Sequence, residues 1–342
     1  MNTMQIDLRS DTVTRPTPGM LKYMFKARVG DDVFNEDPTI KELEKKAAAI
    51  FGKEAGLYCP SGTMTNQIAI KVHTQPGDEL LCDVTAHVYN YEGGGISFNS
   101  GVQAKLIHGD SGRFTAKHVE QNLHSDADWL PRTSLVAIEN TSNRGGGTYY
   151  QIKNVKEISQ VCKKNKLKLH LDGARIFNAL TETKENPKEY GSTCDSISIC
   201  LSKGLGAPVG SVLIGNAEFI AKARRIRKLF GGGMRQAGYL AAAGIYALDN
   251  NIKRLKEDHQ RAKHIAQILV NKSYVVNMLP VETNIIIFSL DKSMSSEKFT
   301  NALKRDNILV STMGNNALRI VTHLDFDDKM LKVVENSLKK IK

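Results

Sequence analysis

Two residues whose types and settings suit covalent chemistry are Asp172 and Lys203. Asp172 closes the run Leu167-Lys168-Leu169-His170-Leu171-Asp172, in which three leucines alternate with polar residues. That period of two reads as a strand. The carboxylate then lies at a strand tip, followed at once by Gly173-Ala174-Arg175. By itself such an Asp reads as a helix cap. A second apolar run, Ser196-Ile197-Ser198-Ile199-Cys200-Leu201, leads into Ser202-Lys203-Gly204-Leu205-Gly206. A lysine between an apolar strand and a glycine-rich turn is poorly solvated, which lowers its pKa and frees the amine as a nucleophile. An acid and a lysine on neighbouring strand tips have a joint reading. The acid pairs with the pyridinium nitrogen of pyridoxal phosphate (PLP), and the lysine carries the cofactor as a Schiff base.

Two more stretches suit that reading. Tyr58-Cys59-Pro60-Ser61-Gly62-Thr63-Met64-Thr65-Asn66 runs from strand into helix. Backbone N–H groups at a helix N-terminus bind phosphate, Gly62 permits close approach, and Thr63 adds a hydroxyl. Many helices begin in this way, and no G-K-[ST] of a nucleotide-binding loop is present. His87 follows the strand ending at Cys82 and is placed to stack on a cofactor ring. Alone it reads as a solvated or capping loop residue.

These residues need a scaffold that brings strand tips together. Strands are expected at residues 56–59, 79–82, 104–107, 135–139, 167–172, 196–200 and 209–214, with helical patterns between them such as 63–73 and 155–165. Alternation of this kind predicts an α/β fold with a large, mostly parallel seven-stranded sheet. Ligands of such sheets sit beyond the carboxyl ends of the strands. Asp37-Pro38-Thr39 before Ile40-Lys41-Glu42-Leu43 suits a helix start. Past residue 250 the pattern changes. Strands at 284–289 and 317–321 with helices at 295–306 and 327–340 predict a small C-terminal α+β domain. The expected division is 1–250 and 251–342, with one long helix over 237–264 joining the parts.

Composition narrows the function classes. The chain has 342 residues, 41% of them hydrophobic, enough for a substantial core. No apolar run approaches the roughly 20 residues of a membrane span. The opening Met1-Asn2-Thr3-Met4-Gln5-Ile6-Asp7 lacks the features of a secretion signal, so a cytoplasmic protein is expected. Five cysteines without a C-x-x-C pair argue against a zinc site or disulfide framework. No metal is expected. The net charge of +11 is spread along the chain, and its densest cluster spans only residues 222–228. Solvated helix faces account for it better than a nucleic-acid surface does, and a basic enzyme suits anionic ligands.

At this point the chain resembles the L-threonine aldolase family, within the aspartate-aminotransferase-like (fold type I) PLP enzymes. The resemblance rests on Asp7-Leu8-Arg9-Ser10-Asp11-Thr12-Val13-Thr14, Glu36-Asp37-Pro38-Thr39, Pro60-Ser61-Gly62-Thr63-Met64 and Glu139-Asn140-Thr141. It continues through His170-Leu171-Asp172-Gly173-Ala174-Arg175, Leu201-Ser202-Lys203-Gly204-Leu205-Gly206, Gly231-Gly232-Gly233-Met234-Arg235-Gln236 and Leu318-Arg319-Ile320-Val321-Thr322-His323. The motifs span nearly the whole chain in the expected order.

The resemblance implies cleavage of L-threonine, L-allo-threonine and related β-hydroxy-α-amino acids to glycine and an aldehyde. It implies Lys203 as the Schiff-base lysine, Asp172 as the partner of the pyridine nitrogen, and His87 stacked on the ring. Gly62, Thr63 and Ser202 would hold the phosphate, while Ser10, Arg175 and Arg319 would bind the substrate carboxylate. A homotetramer with sites between subunits is also implied, in which Lys228 and Arg235 reach a neighbour's cofactor. Three departures from the family pattern stand out: Phe34 in place of a common tyrosine, Trp129 where some members have a histidine, and Ser142 where histidine is usual; the two replaced histidines bear on the β-hydroxyl proton. Two alternatives stand beside this reading. One is a PLP-dependent β-eliminating lyase. The other is a basic binding protein without catalysis.

Overall fold

The computed structural model describes residues 5–341. Met1–Met4, part of the stretch read for a secretion signal, lie outside the described residues. The chain enters through β1 (Ile6–Asp7) and builds its large sheet from β2 (Ala55–Cys59), β3 (Glu79–Asp83), β4 (Gln103–Ile107), β5 (Thr133–Glu139), β6 (Lys168–Gly173), β7 (Ser196–Cys200) and β8 (Ser211–Gly215). The order across the sheet is β2-β8-β7-β6-β5-β3-β4. All seven expected strands form. Except in the edge strand β4, their apolar runs are buried on both sides, as in sheets covered by helices on each face.

The pairs β3–β4, β3–β5, β5–β6 and β6–β7 are parallel, whereas β8 runs antiparallel to both β7 and β2. The connection from β7 to β8 covers residues 201–210, too short for the crossover a parallel return requires. The chain therefore doubles back at the carboxyl end of β7, and Lys203 sits in that turn. Register then decides which residues meet. Asp172 on β6 lies opposite Glu139 on β5 and Ser198 on β7.

Capping sets the helix starts. Asp37 accepts hydrogen bonds from the backbone N–H groups of Thr39 and Ile40 to open the helix Pro38–Phe51, which ends at Gly52 with φ of 65°. Ser61 caps the helix Gly62–His73 through the N–H of Met64. This helix packs on the sheet and carries Thr65, Asn66 and Gln67 inward as buried polar groups.

The second unit contains β9 (Val275–Met278), β10 (Ile285–Leu290), β11 (Ile308–Leu309), β12 (Ser311–Thr312) and β13 (Ala317–Val321). Four of these form an antiparallel sheet in the order β12-β13-β10-β9. Its core gathers residues between Ala262 and Ile341, and it also takes in Ile6 and Leu8. The tie is the parallel pairing of β1 with β11, which delivers the following residues, Ser10 and Asp11, to the junction of the two sheets.

The single long helix expected over 237–264 is two helices, Gly238–Asn250 and Leu255–Val270. Asp249, Asn250 and Asn251 are poor helix formers. The buried Asn251 side chain donates instead to the carbonyl of Leu205, at 2.7 Å, and so binds the break to the turn that holds Lys203. Among the described residues no helix is long and apolar enough to cross a membrane.

Candidate active site

Ser10, His87, Arg175, Lys203 and Arg319 line one cavity of about 460 Å³ at the carboxyl ends of the strands. They come from the segment after β1, the loop after β3, the tip of β6, the β7–β8 turn and strand β13. A larger hollow of about 650 Å³ near Lys46, Phe177 and Lys256 contains none of them, so size alone would point to the wrong place.

The two arginines differ. Arg175 is buried and grips Asp11 through two hydrogen bonds of 2.7 Å, from Nε and Nη2. Burial would raise the Asp11 pKa, but the charge and hydrogen bonds of Arg175 outweigh it and hold the carboxyl well below its usual range. Arg319 has no carboxylate partner among the described residues; its Nη1 donates to Asn143 Oδ1 at 3.0 Å and its Nη2 to the Arg9 carbonyl at 3.0 Å. Burial and the neighbouring charge of Arg175 lower its pKa. Asn143 Oδ1 also lies 3.5 Å from Arg175 Nη1, so one amide oxygen spaces both guanidinium groups. Of these two arginines, Arg319 is the one still open to an anion. Ser10 stands beside it, its Oγ accepting from the N–H of Thr12 at 3.2 Å.

Lys203 is half-buried, and its ammonium makes no hydrogen bond or ion pair among the described residues. Its carbonyl accepts from Thr14 Oγ1 at 3.0 Å, which fixes the turn and leaves the side chain to the cavity. Asp172 is 3% exposed. Among the described residues it accepts only from neutral donors, Asn66 Nδ2 at 2.9 Å and the N–H of Ala174 at 3.1 Å. A buried carboxylate without a cation is costly.

Asn66 reveals how Asp172 is held. Its amide nitrogen donates both to Asp172 Oδ2 and to Glu92 Oε1, each at 2.9 Å. Its Oδ1 must then accept, and His170 Nε2 lies 3.0 Å away. With Nε2 protonated, His170 Nδ1 accepts from Ser196 Oγ at 2.8 Å, and Ser196 Oγ accepts in turn from His73 Nε2 at 2.8 Å. Burial pushes His170 down to about 4 and His73 to about 3, which keeps both rings neutral and this order of protons intact. Every donor in the chain points toward Asp172, stabilising its charge.

Glu92 also accepts from Gln67 Nε2 at 2.6 Å and binds His87 Nδ1 at 2.9 Å. An acid facing three such partners is an ionised acceptor, so His87 carries its proton on Nδ1 and turns Nε2 to the cavity. Burial would lower the His87 pKa, but the Glu92 hydrogen bond and the charges of Asp172 and Glu139 raise it. Glu139 accepts from the backbone N–H groups of His87 at 3.0 Å and Asn143 at 2.9 Å, locking the two loops together. Burial and the charge of Asp172 push Glu139 up to about 7.

His87, Glu92 and Asp172 bring possible metal-ligating atoms within 4.8 Å of one another. The amide of Asn66 already bridges the two acids, so hydrogen bonds account for the trio. Gly62 and Thr63 start their helix just past β2. Ser211 Oγ, buried without a hydrogen-bond partner, lies 3.5 Å from where a Cβ on Gly62 would stand. An orphan hydroxyl beside free helix N–H groups suits an anion. Ser202 adjoins Lys203, its Oγ 3.5 Å from Cys200 Sγ.

Lys228 and Arg235 do not line the cavity. Arg235 pairs with Asp31 at 2.8 Å and lies 5.7 Å over the Phe34 ring. Lys228, at the end of helix Ala217–Leu229, makes no ion pair among the described residues. Of the three departures, Phe34 and Trp129 are exposed and do not line the cavity. Ser142 is buried, with its Oγ accepting from the N–H of Gly145 at 3.1 Å.

The sequence reading missed Asn66, Glu92, Glu139, Asn143, His170 and Asp11 as parts of the site. Glu139 ends β5 and Asn143 follows it, so both were within reach of the strand-tip rule. Asn66 lies one turn beyond Gly62 on the same helix face. Nothing local marks Glu92 or Asp11, whose partners are distant in the chain.

The beta-eliminating lyase family model matches residues 7–293. The chain is 41% identical to a probable low-specificity L-threonine aldolase 2 of Arabidopsis thaliana, over 98% of this chain and 97% of that protein. It is also 41% identical to the low specificity L-threonine aldolase of Escherichia coli K12, over 96% and 97%. A solved threonine aldolase of Leishmania major shares the fold, with a TM-score of 0.85 at 19% identity, covering 98% of this chain and 99% of that one. With relatives this similar along nearly its whole length, the chain belongs to the beta-eliminating lyase family and, within it, to the low-specificity L-threonine aldolases.

Proposed function

We propose that this protein is a PLP-dependent aldolase that splits L-threonine, L-allo-threonine and other β-hydroxy-α-amino acids into glycine and an aldehyde. Enzymes of this fold and family are PLP-dependent in general. The observation that carries the reading is one pair: Asp172, buried and held by neutral donors, and Lys203, whose ammonium at the cavity makes no ion pair among the described residues.

The residues present fit the cofactor. Lys203 would hold it, Asp172 would meet its ring nitrogen, His87 would lie against the ring, and Gly62, Thr63 and Ser202 would take the phosphate. When bound, PLP supplies the sink for the electron pair released at Cα. Arg319, spaced by Asn143 and flanked by Ser10 and Arg175, receives the substrate carboxylate bidentately. This orients the Cα–Cβ bond. His87 Nε2, facing the cavity, takes the proton of the β-hydroxyl, and Glu92 balances the charge on the ring through Nδ1. Loss of that proton lets the aldehyde depart.

We also propose a homotetramer with shared sites, in which Lys228 and Arg235 reach a neighbour's phosphate. Its support is Lys228, which makes no ion pair among the described residues, with the exposed Leu229 beside it in the chain and the exposed Phe34 under Arg235. The working units would be 1–250 and 251–342, with the site at their junction. Five free, buried cysteines support a cytoplasmic location.

The test is acetaldehyde release from L-threonine and L-allo-threonine by PLP-loaded protein, followed with a coupled alcohol dehydrogenase. Lys203→Ala should abolish it. Near-normal turnover by that variant would refute the lysine assignment. Ammonia and a keto acid in place of glycine and an aldehyde would establish β-elimination instead.

A further inference from the structure

The cavity holds a guanidinium that an α-carboxylate does not need. Arg144 lines it together with Arg175 and Arg319. Arg175 is neutralised by Asp11, and Arg319 is placed for the α-carboxylate. Arg144 is half-buried and pairs with no carboxylate among the described residues. Its Nη1 lies 3.5 Å from Met313 Sδ, a weak acceptor, and its guanidinium stands 6.0 Å over the Tyr91 ring.

Position tells which end of a substrate it would meet. Tyr91 neighbours His87, with ring centroids 5.6 Å apart. Arg144 is therefore on the His87 side of the cavity, where the β-hydroxyl is read. It is also near enough to Arg319 for their charges to repel. Two cations in a partly buried cavity are unfavourable until anions arrive. A substrate with one carboxylate answers Arg319 alone.

We infer that Arg144 is a second carboxylate subsite, and that the enzyme acts on β-hydroxy-α-amino acids bearing a carboxylate on Cβ, the β-hydroxyaspartate class. This rests on the aldolase reading above. The chemistry balances without a co-reactant. The β-hydroxyl proton goes to His87 Nε2, the Cα–Cβ bond breaks, and the β-carbon leaves as the aldehyde of glyoxylate. The electron pair left at Cα takes up a proton to give glycine.

The experiment compares kcat/KM of the PLP-loaded enzyme for L-threonine and for the L-threo and L-erythro isomers of β-hydroxyaspartate, with glyoxylate trapped by phenylhydrazine. One isomer should exceed L-threonine, and Arg144→Ala should cut that ratio about tenfold or more, the scale of a charge-assisted hydrogen bond. Binding without turnover gives a second readout: calorimetric dissociation constants of L-aspartate and L-2-aminobutyrate. L-Aspartate should bind about tenfold tighter, and Arg144→Ala should remove the difference. Equal binding of the two ligands, or an unchanged ratio in the variant, would overturn the inference and leave Arg144 as packing for Tyr91 and Met313. If L-threonine is cleaved and β-hydroxyaspartate is not, the subsite falls and the aldolase reading stands. If neither is cleaved, both fall.

Discussion

Replacing Asp11 with Asn tests the ion pair beneath the substrate site. The pair is doubly hydrogen-bonded at 2.7 Å, and its side chains are 0% and 4% exposed. The neutral amide would leave the Arg175 charge buried without a counter-charge. Breaking one side of such a pair costs about 3–5 kcal/mol. Removing both charges, as in Asp11→Asn with Arg175→Gln, should recover much of this loss, since no bare charge remains. The assay is urea unfolding at fixed protein concentration and neutral pH. The pH dependence has a definite sign. Asp11 has a depressed pKa in the fold, so its contribution is present above the unfolded value of about 3.9 and is lost as pH falls through the folded value. The wild type should lose this increment in acid, and Asp11→Asn should not. A single-variant loss below about 1 kcal/mol, or a double variant no better than the single, would refute the reasoning.

Other consequences follow from the same geometry. Glu92→Gln removes the anion that raises the His87 pKa, so the acid limb of the kcat/KM profile should move to lower pH; an unmoved limb would exclude His87 as the titrating base. Arg319→Gln should raise KM for L-threonine about 10- to 100-fold, the worth of a charged hydrogen bond, with the smaller effect on kcat; an unchanged KM would place the carboxylate elsewhere. His170→Phe leaves Asn66 Oδ1 without its donor and the Ser196 hydroxyl proton without its acceptor, at about 1–3 kcal/mol each in urea unfolding. A stability loss under about 1 kcal/mol would contradict the directed chain behind Asp172.

The fold class was legible in the local pattern, because seven short apolar runs with helical patterns among them admit few arrangements. The sequence also pointed to Lys203 and Asp172, since each ends an alternating or apolar run where the chain turns. Local pattern could not reveal that β8 runs antiparallel, or that the helix after residue 237 breaks; the length of one turn and the bond from Asn251 to Leu205 decide these. Nor could it separate Arg175 from Arg319. That distinction rests on Asp11, which β1 carries to the junction by pairing with β11 at the far end of the chain. The same holds for the line from His73 to Asp172, whose members lie on a helix and two strands. Spacing reports what a residue is beside in the chain, whereas charge and proton order depend on what reaches it in space, and only the tertiary structure brings those groups within hydrogen-bonding distance.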